Sequence, residues 1–123
     1  MSFPHWGQGK NPVGFWKADK DATIIAANRC LEEILGIPQD QIMGASVLAD
    51  FPRNTFHPFQ PFYDRAIHTG KTVRFERIQV GTPARRRGRQ SGWLIPRFID
   101  REFAHTLCIL EDAPEDFPES VNG

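Results

Sequence analysis

The stretch GFWKADKDATIIAANRCLEEILG, residues 14–36, does most to limit what this chain can fold into. Val13 to Lys17 reads as a strand and Thr23 to Ala26 as a second one, with Asp19 and Asp21 between them. Aspartates bond nearby backbone amides and favour tight turns, so the acidic pair is read as turn geometry. No third ligand lies near enough in sequence to make the pair a cation site. Asn28 follows as a helix N-cap, because its side-chain oxygen can accept an otherwise unpaired amide of the first turn. Leu31, Ile34 and Leu35 then fall at helical spacing, and Gly36 supplies a left-handed stop. Two short strands and a capped helix within so few residues require a small mixed fold.

The rest of the chain separates helix from strand. Pro38 opens a short turn over Gln39 to Met43, closed by Gly44. Residues 45–61 read as a loop in which Phe51, Phe56 and Phe59 stand among Pro52, Pro58 and Pro61. Such aromatics cover a core or line a ligand pocket. Phe62, Tyr63, Ala66 and Ile67 carry a second, longer helix up to Gly70. Thr72 to Val80 is a strand whose apolar phase slips between Phe75 and Ile78, which predicts either a bulge near Glu76 and Arg77 or a strand covered on both faces. Gly92 to Asp100 and Ala104 to Glu111 complete the strands. Pro96 places its missing amide at an edge or a bulge. Two strands, several short helices and three more strands make an α+β fold with an antiparallel sheet, since alternation would be needed for a parallel one.

A length of 123 residues allows one domain. The Pro- and Gly-containing residues 1–12 are expected to be a flexible N-terminal arm, with Trp6 docking on the domain, and residues 114–123 a frayed acidic tail. The domain itself is expected over residues 13–113. A formal net charge of +0 gives no global attraction to nucleic acid or anionic membrane. No apolar run approaches the roughly 20 residues that span a bilayer, and the N-terminus lacks a signal peptide's apolar segment, which points to the cytoplasm. Cys30 and Cys108 are read as reduced, buried thiols.

In this order, the segments GFWKADKDATIIAANRCLEEILG, PQDQIMG, FYDRAIHTGKTVRFE and GWLIPRFID, with the final strand ending in LED, resemble the PAS family of sensor domains. The matching positions are Gly14, Trp16, Asp19, Asp21, Ile24, Asn28, Leu35, Gly36, Gly44, Gly70, Trp93 and Asp112, across residues 13–113. The resemblance implies a five-stranded antiparallel sheet with several short helices and one longer helix on one face. It also implies a sensory or interaction role without catalysis, and homodimerisation. Three departures stand out. Ala22 occupies a position where the family commonly has a turn glycine, so a left-handed residue is not expected there. The turn from Asp100 to Phe103 also lacks glycine, and the loop GTPARRRGRQSG is long and basic.

Fold does not decide what such a domain holds. The segment IMGASVLADFPRN has no cysteine where flavin photosensors of the LOV type carry theirs, and residues 44–61 lack the chromophore cysteine of the photoactive yellow protein type. Haem would need an axial histidine, for which His57 and His68 are the candidates, His57 ahead. Non-covalent flavin leaves no signature. A pocket for a small apolar or aromatic molecule would be walled by Ile24, Leu31, Leu35, Phe62, Ile67, Phe75, Trp93, Ile95, Leu107 and Ile109, each of which also suits a plain core. Asn28, Tyr63 or Arg97 would orient a polar group inside it. A ligand-free interaction scaffold is the alternative. For catalysis, Asp64, His68 and His105 are scattered, with no second member at a diagnostic spacing.

Arg85, Arg86, Arg87 and Arg89 fall in one expected hairpin loop. A solvated loop tip explains them, and so does an acidic protein partner, such as the acidic tail of another copy. Nucleic acid is disfavoured by the neutral charge and the lack of a groove-reading helix or stacking array.

Overall fold

The computed structural model describes residues 13–113, so the expected arm and tail lie outside the described residues. Five strands form one antiparallel sheet: β1 (Val13–Asp19), β2 (Ile24–Ala27), β3 (Val73–Val80), β4 (Gly88–Ile99) and β5 (Glu102–Ala113). Their order across the sheet is β2-β1-β5-β4-β3. The last strand in the chain therefore lies in the centre, and β1 and β4 flank it. Between β2 and β3 run α1 (Arg29–Leu35), α2 (Gln39–Ile42), α3 (Arg53–Phe56), a 3-10 turn (His57–Phe59) and α4 (Gln60–Thr69). The expected α+β class, with helices packed on one sheet face, is the architecture observed.

The opening stretch folds as its chemistry dictates. One carboxylate oxygen of Asp19, Oδ1, accepts from the amides of Asp21 and Thr23 at 2.9 and 3.0 Å. Asn28 Oδ1 caps α1 through the Leu31 amide at 3.1 Å. The same side chain reaches back to β1, accepting from the Phe15 amide at 3.0 Å and donating to the Val13 carbonyl at 3.3 Å. One asparagine thus fastens the helix to the strand. Gly36 ends α1 at φ 72°, as its position suggested.

Other boundaries moved. The Pro-rich loop of residues 45–61 contains α3 and the 3-10 turn, and α4 begins at Gln60 rather than Phe62. Pro38 caps α2 from outside rather than occupying its first position. Ala22 does take the left-handed conformation, at φ 65°, which corrects the expectation that no left-handed residue would stand there. The turn survives because the Ala22 amide bonds Asp19's carbonyl and its own carbonyl accepts from Val47. The slip in β3 is real. Its register shifts between Phe75 and Ile78, and Arg77 lies at φ 50° with its amide donating to Ser91 Oγ at 2.8 Å. Pro96 lies past Leu94, where β3 pairing ends, so β4 has a single neighbour at that point.

The core fills the space between the sheet's inner face and the helices. Trp16, Ala18, Leu31, Ile34, Ile42, Phe59, Tyr63, Phe75, Leu94, Cys108 and Leu110 are buried there. Phe75 sits edge-on to Phe59 with ring centroids 5.0 Å apart, and Phe56 edge-on to Tyr63 at 5.6 Å.

Candidate functional site

A small cavity of about 40 Å³ opens within this core. Trp16 and Ile24 approach it from β1 and β2, Leu31 and Leu35 from α1, and Val47 and Phe51 from the following loop. Thr55, Phe56 and Phe59 close it from the α3 region, and Val80, Gln90 and Leu110 from the sheet. A buried water needs roughly 10–15 Å³ of such space, so the cavity suits about three water-sized groups. A flavin or haem would require wall side chains to withdraw.

One polar atom is out of balance in this apolar chamber. Gln90 is 2% exposed, lines the cavity, and its Oε1 accepts no hydrogen bond from the described residues. Further along the sheet, away from the cavity wall, Thr106 Oγ1 is also buried without a hydrogen bond. The Tyr63 hydroxyl neighbours Thr106, which partly offsets the effect of burial on its pKa. Burial dominates and pushes the Tyr63 pKa up to about 12. Burial likewise pushes the Cys108 thiol up, leaving it neutral and inert.

Of the expected wall residues, Ile24, Leu31 and Leu35 line the cavity. Phe75 and Tyr63 are buried in the neighbouring aromatic cluster, with Phe62 and Ile67 packed partly exposed against the core. Asn28 is committed to its cap and to β1. Trp93, Ile95, Leu107 and Ile109 correct the expectation, because they lie in the opposite strand phase on the outer face. The inward phase belongs to Gln90, Gly92, Leu94 and Pro96 on β4 and to Thr106, Cys108 and Leu110 on β5. Arg97 is exposed on that outer side and cannot orient anything in the core.

His57 and His68 are both exposed, and neither belongs to the cavity wall, so the residues present do not offer an axial ligand to a haem in this chamber. Asp64 is exposed as well, and His105 lies on the outer face, so the three scattered acid–base candidates do not converge. Among the described residues, no group of His, Cys, Asp and Glu is arranged to hold a metal. The sequence pattern conceals Gln90 because the apolar run of this strand begins only at Gly92, whereas β4 itself begins at Gly88.

The basic segment divides. Arg89 belongs to β4, half-buried and paired in register with Ala113, which corrects its assignment to the loop. Arg85, Arg86 and Arg87 remain in the β3–β4 connection, beside an open cleft of about 930 Å³.

The described residues include no helix long and apolar enough to cross a membrane. Among curated proteins, none matches the chain. Solved structures do resemble it. A PAS domain from Colwellia psychrerythraea superposes with a TM-score of 0.69 at 17% identity, covering 82% of this chain and 86% of that one. The PAS domain of Bordetella pertussis BvgS gives 0.66 at 16% identity, over 90% and 83% of the two chains. The PAS-B domain of Drosophila melanogaster Cycle gives 0.66 at 7% identity, over 81% and 99%. At such identities the likeness speaks for the fold. A family model described as the PAS fold matches residues 8–112, most of the chain, and on that match the chain belongs to the PAS family.

Proposed function

We propose that this PAS domain is a sensor whose core cavity takes a small, neutral molecule bearing a hydroxyl, with the Gln90 side chain as its polar anchor. The carrying observation is the unpaired Gln90 Oε1 in an otherwise apolar wall. A buried acceptor without a donor costs about 1–3 kcal/mol, which a hydroxyl-bearing ligand would recover. The size of the cavity favours a diol or short alcohol over an aromatic cofactor. The similar wild-type Cycle PAS-B domain has been solved with bound ethylene glycol and a tryptophan-to-alanine variant of it with bound glycerol, molecules of this scale. The pair of free cysteines suits a reducing compartment, so the cytoplasm is the proposed location.

Thermal unfolding in a series of ethylene glycol, glycerol and propanol concentrations tests the reading, with sucrose as the bulky control. The smaller hydroxyl compounds should raise the midpoint of the wild type in a saturable way, and Gln90→Met should abolish that dependence. Saturable stabilisation that is equal in both proteins would remove Gln90 from the role. A midpoint that responds to none of them, with Gln90→Met simply more stable, would overturn the sensor reading and leave a filled scaffold.

The outer sheet face supports a second activity, homodimerisation. Phe15, Ile95, Leu107 and Ile109 are half-buried there, and Trp93 remains 40% exposed. Lys17, Arg97 and His105 lie at one end of this face and Glu111 at the other.

A further inference from the structure

The β3–β4 connection is held at several points rather than hanging free. The Gly81 amide donates to the Asn54 carbonyl at 2.9 Å, and the Gly81 carbonyl accepts from Thr55 Oγ1 at 2.6 Å. The Ala84 amide donates to the Leu35 carbonyl at 3.2 Å, fastening the loop to the end of α1. Thr82 and Arg85 bond each other's backbones in both directions, at 3.0 and 3.1 Å. Gly36 lies so close to Ala84 that an added Cβ would stand 2.7 Å from the Ala84 nitrogen. A loop with this many anchors keeps its side chains over a defined place.

That place is the open cleft of about 930 Å³ between the loop and the α3 region. Arg85, Arg86 and Arg87 line it together with Asn54, Thr55 and Thr82. Among the described residues no carboxylate lines the cleft, and no ion pair involves Arg86 or Arg87. We infer that this cleft is an anion site, separate from the core cavity, for the phosphate or carboxylate group of a small molecule. Guanidinium groups match both oxyanions in bidentate geometry, and several on one ordered loop need little rearrangement to converge. The concavity favours a small molecule over a macromolecular surface, since ligand clefts fall at roughly 300–1,000 Å³. Thr55 borders both the cleft and the core cavity, so the two sites share one wall. The anion site stands whether or not the core is occupied.

The carboxylates of residues 114–123 offer the same chemistry from within the chain. The described part of β5 reaches Ala113, opposite Arg89, and Glu115, Asp116 and Glu119 come after it in the sequence. Calorimetric titration of the full chain with inorganic pyrophosphate at low ionic strength distinguishes these sources. Saturable binding that Arg86→Gln/Arg87→Gln weakens at least about tenfold supports the site, while Arg101→Gln, which removes an exposed arginine from the distant β4–β5 turn, leaves it unchanged. Binding that appears or tightens only in Glu115→Gln/Asp116→Asn/Glu119→Gln supports the site with the tail carboxylates as its resident anion. Both Arg86 and Arg87 are exposed, so the double variant should keep the wild-type unfolding midpoint. Absence of binding in both the wild type and the tail variant overturns the inference, as does an equal loss in Arg101→Gln.

Discussion

Asp100 and Arg101 occupy consecutive left-handed positions, at φ 52° and 71°, and form the two-residue link between Ile99 and Glu102. Two positive φ values in a two-residue hairpin match the twist of the strands, and the geometry favours Asn-Gly. A side-chain-bearing residue held there gives up roughly 1–2 kcal/mol, of which glycine recovers the larger part after its own entropic cost. Both residues are exposed, so no packing is lost on substitution. Asp100→Asn/Arg101→Gly should therefore stabilise the domain by about 1 kcal/mol in urea unfolding. No gain, or a loss, would show that these side chains hold the turn. The sequence marked both glycine-poor turns as departures, at Ala22 and after Asp100, but did not show that the chain would keep the turn and accept the strain. Strain of that kind depends on hydrogen bonds from outside the turn, such as Val47 to the Ala22 carbonyl, which no local pattern reveals.

At the level of elements, what could be read depended on contrast. The β3 bulge showed because its inward residues, Val73 and Phe75, change phase before Ile78 and Val80. The faces of β4 and β5 did not show. Trp93 and Ile95 alternate with Leu94 and Pro96, and Leu107 and Ile109 with Cys108 and Leu110, so both faces are apolar and the period carries no sign. Four of the expected wall residues went to the wrong side for that reason, and Gln90 escaped because the strand began earlier than its apolar run. The decisive residue is Gly92, which faces inward. An added Cβ would collide with the Ile109 carbonyl oxygen and stand 2.8 Å from the Phe75 ring. The carbonyl belongs to the central strand and cannot retreat without breaking the ladder. Gly92→Ala should cost about 3 kcal/mol, at the upper end of overpacking, when followed by chemical denaturation. Gly44→Ala is the matched comparison. It also carries a positive φ, 84°, but has open space around the added methyl, so only backbone strain of about 1 kcal/mol is expected. Equal losses for the two would show that Gly92 is retained for conformation rather than for close approach.

On the scale of the molecule, the outer sheet face joins an apolar centre to charges of opposite sign at its ends. Arg97 lies directly across from His105, with Lys17 on the neighbouring strand; desolvation, and then the charges of Lys17 and Arg97, hold the His105 pKa below its ordinary value. At the far end, Glu111 pairs with Arg74 at 3.6 Å, and Arg74 in turn lies 4.8 Å over the Trp93 ring. A two-fold axis through the face would set the cationic end of one copy over Glu111 of the other, with the Trp93 side chains between them, as an isologous dimer requires. Self-association proposed for this face would draw on charge order as well as on apolar area, so two substitutions should act differently. Trp93→Glu removes the centre and should give monomers at every salt concentration in sedimentation or light scattering. Lys17→Glu/Arg97→Glu leaves the apolar centre intact and should weaken the dimer most at low salt, with recovery as salt screens the new repulsion. A wild type that stays monomeric at high concentration would reject the dimer. A dimer indifferent to both changes would place the interface elsewhere and leave the outer face to another partner.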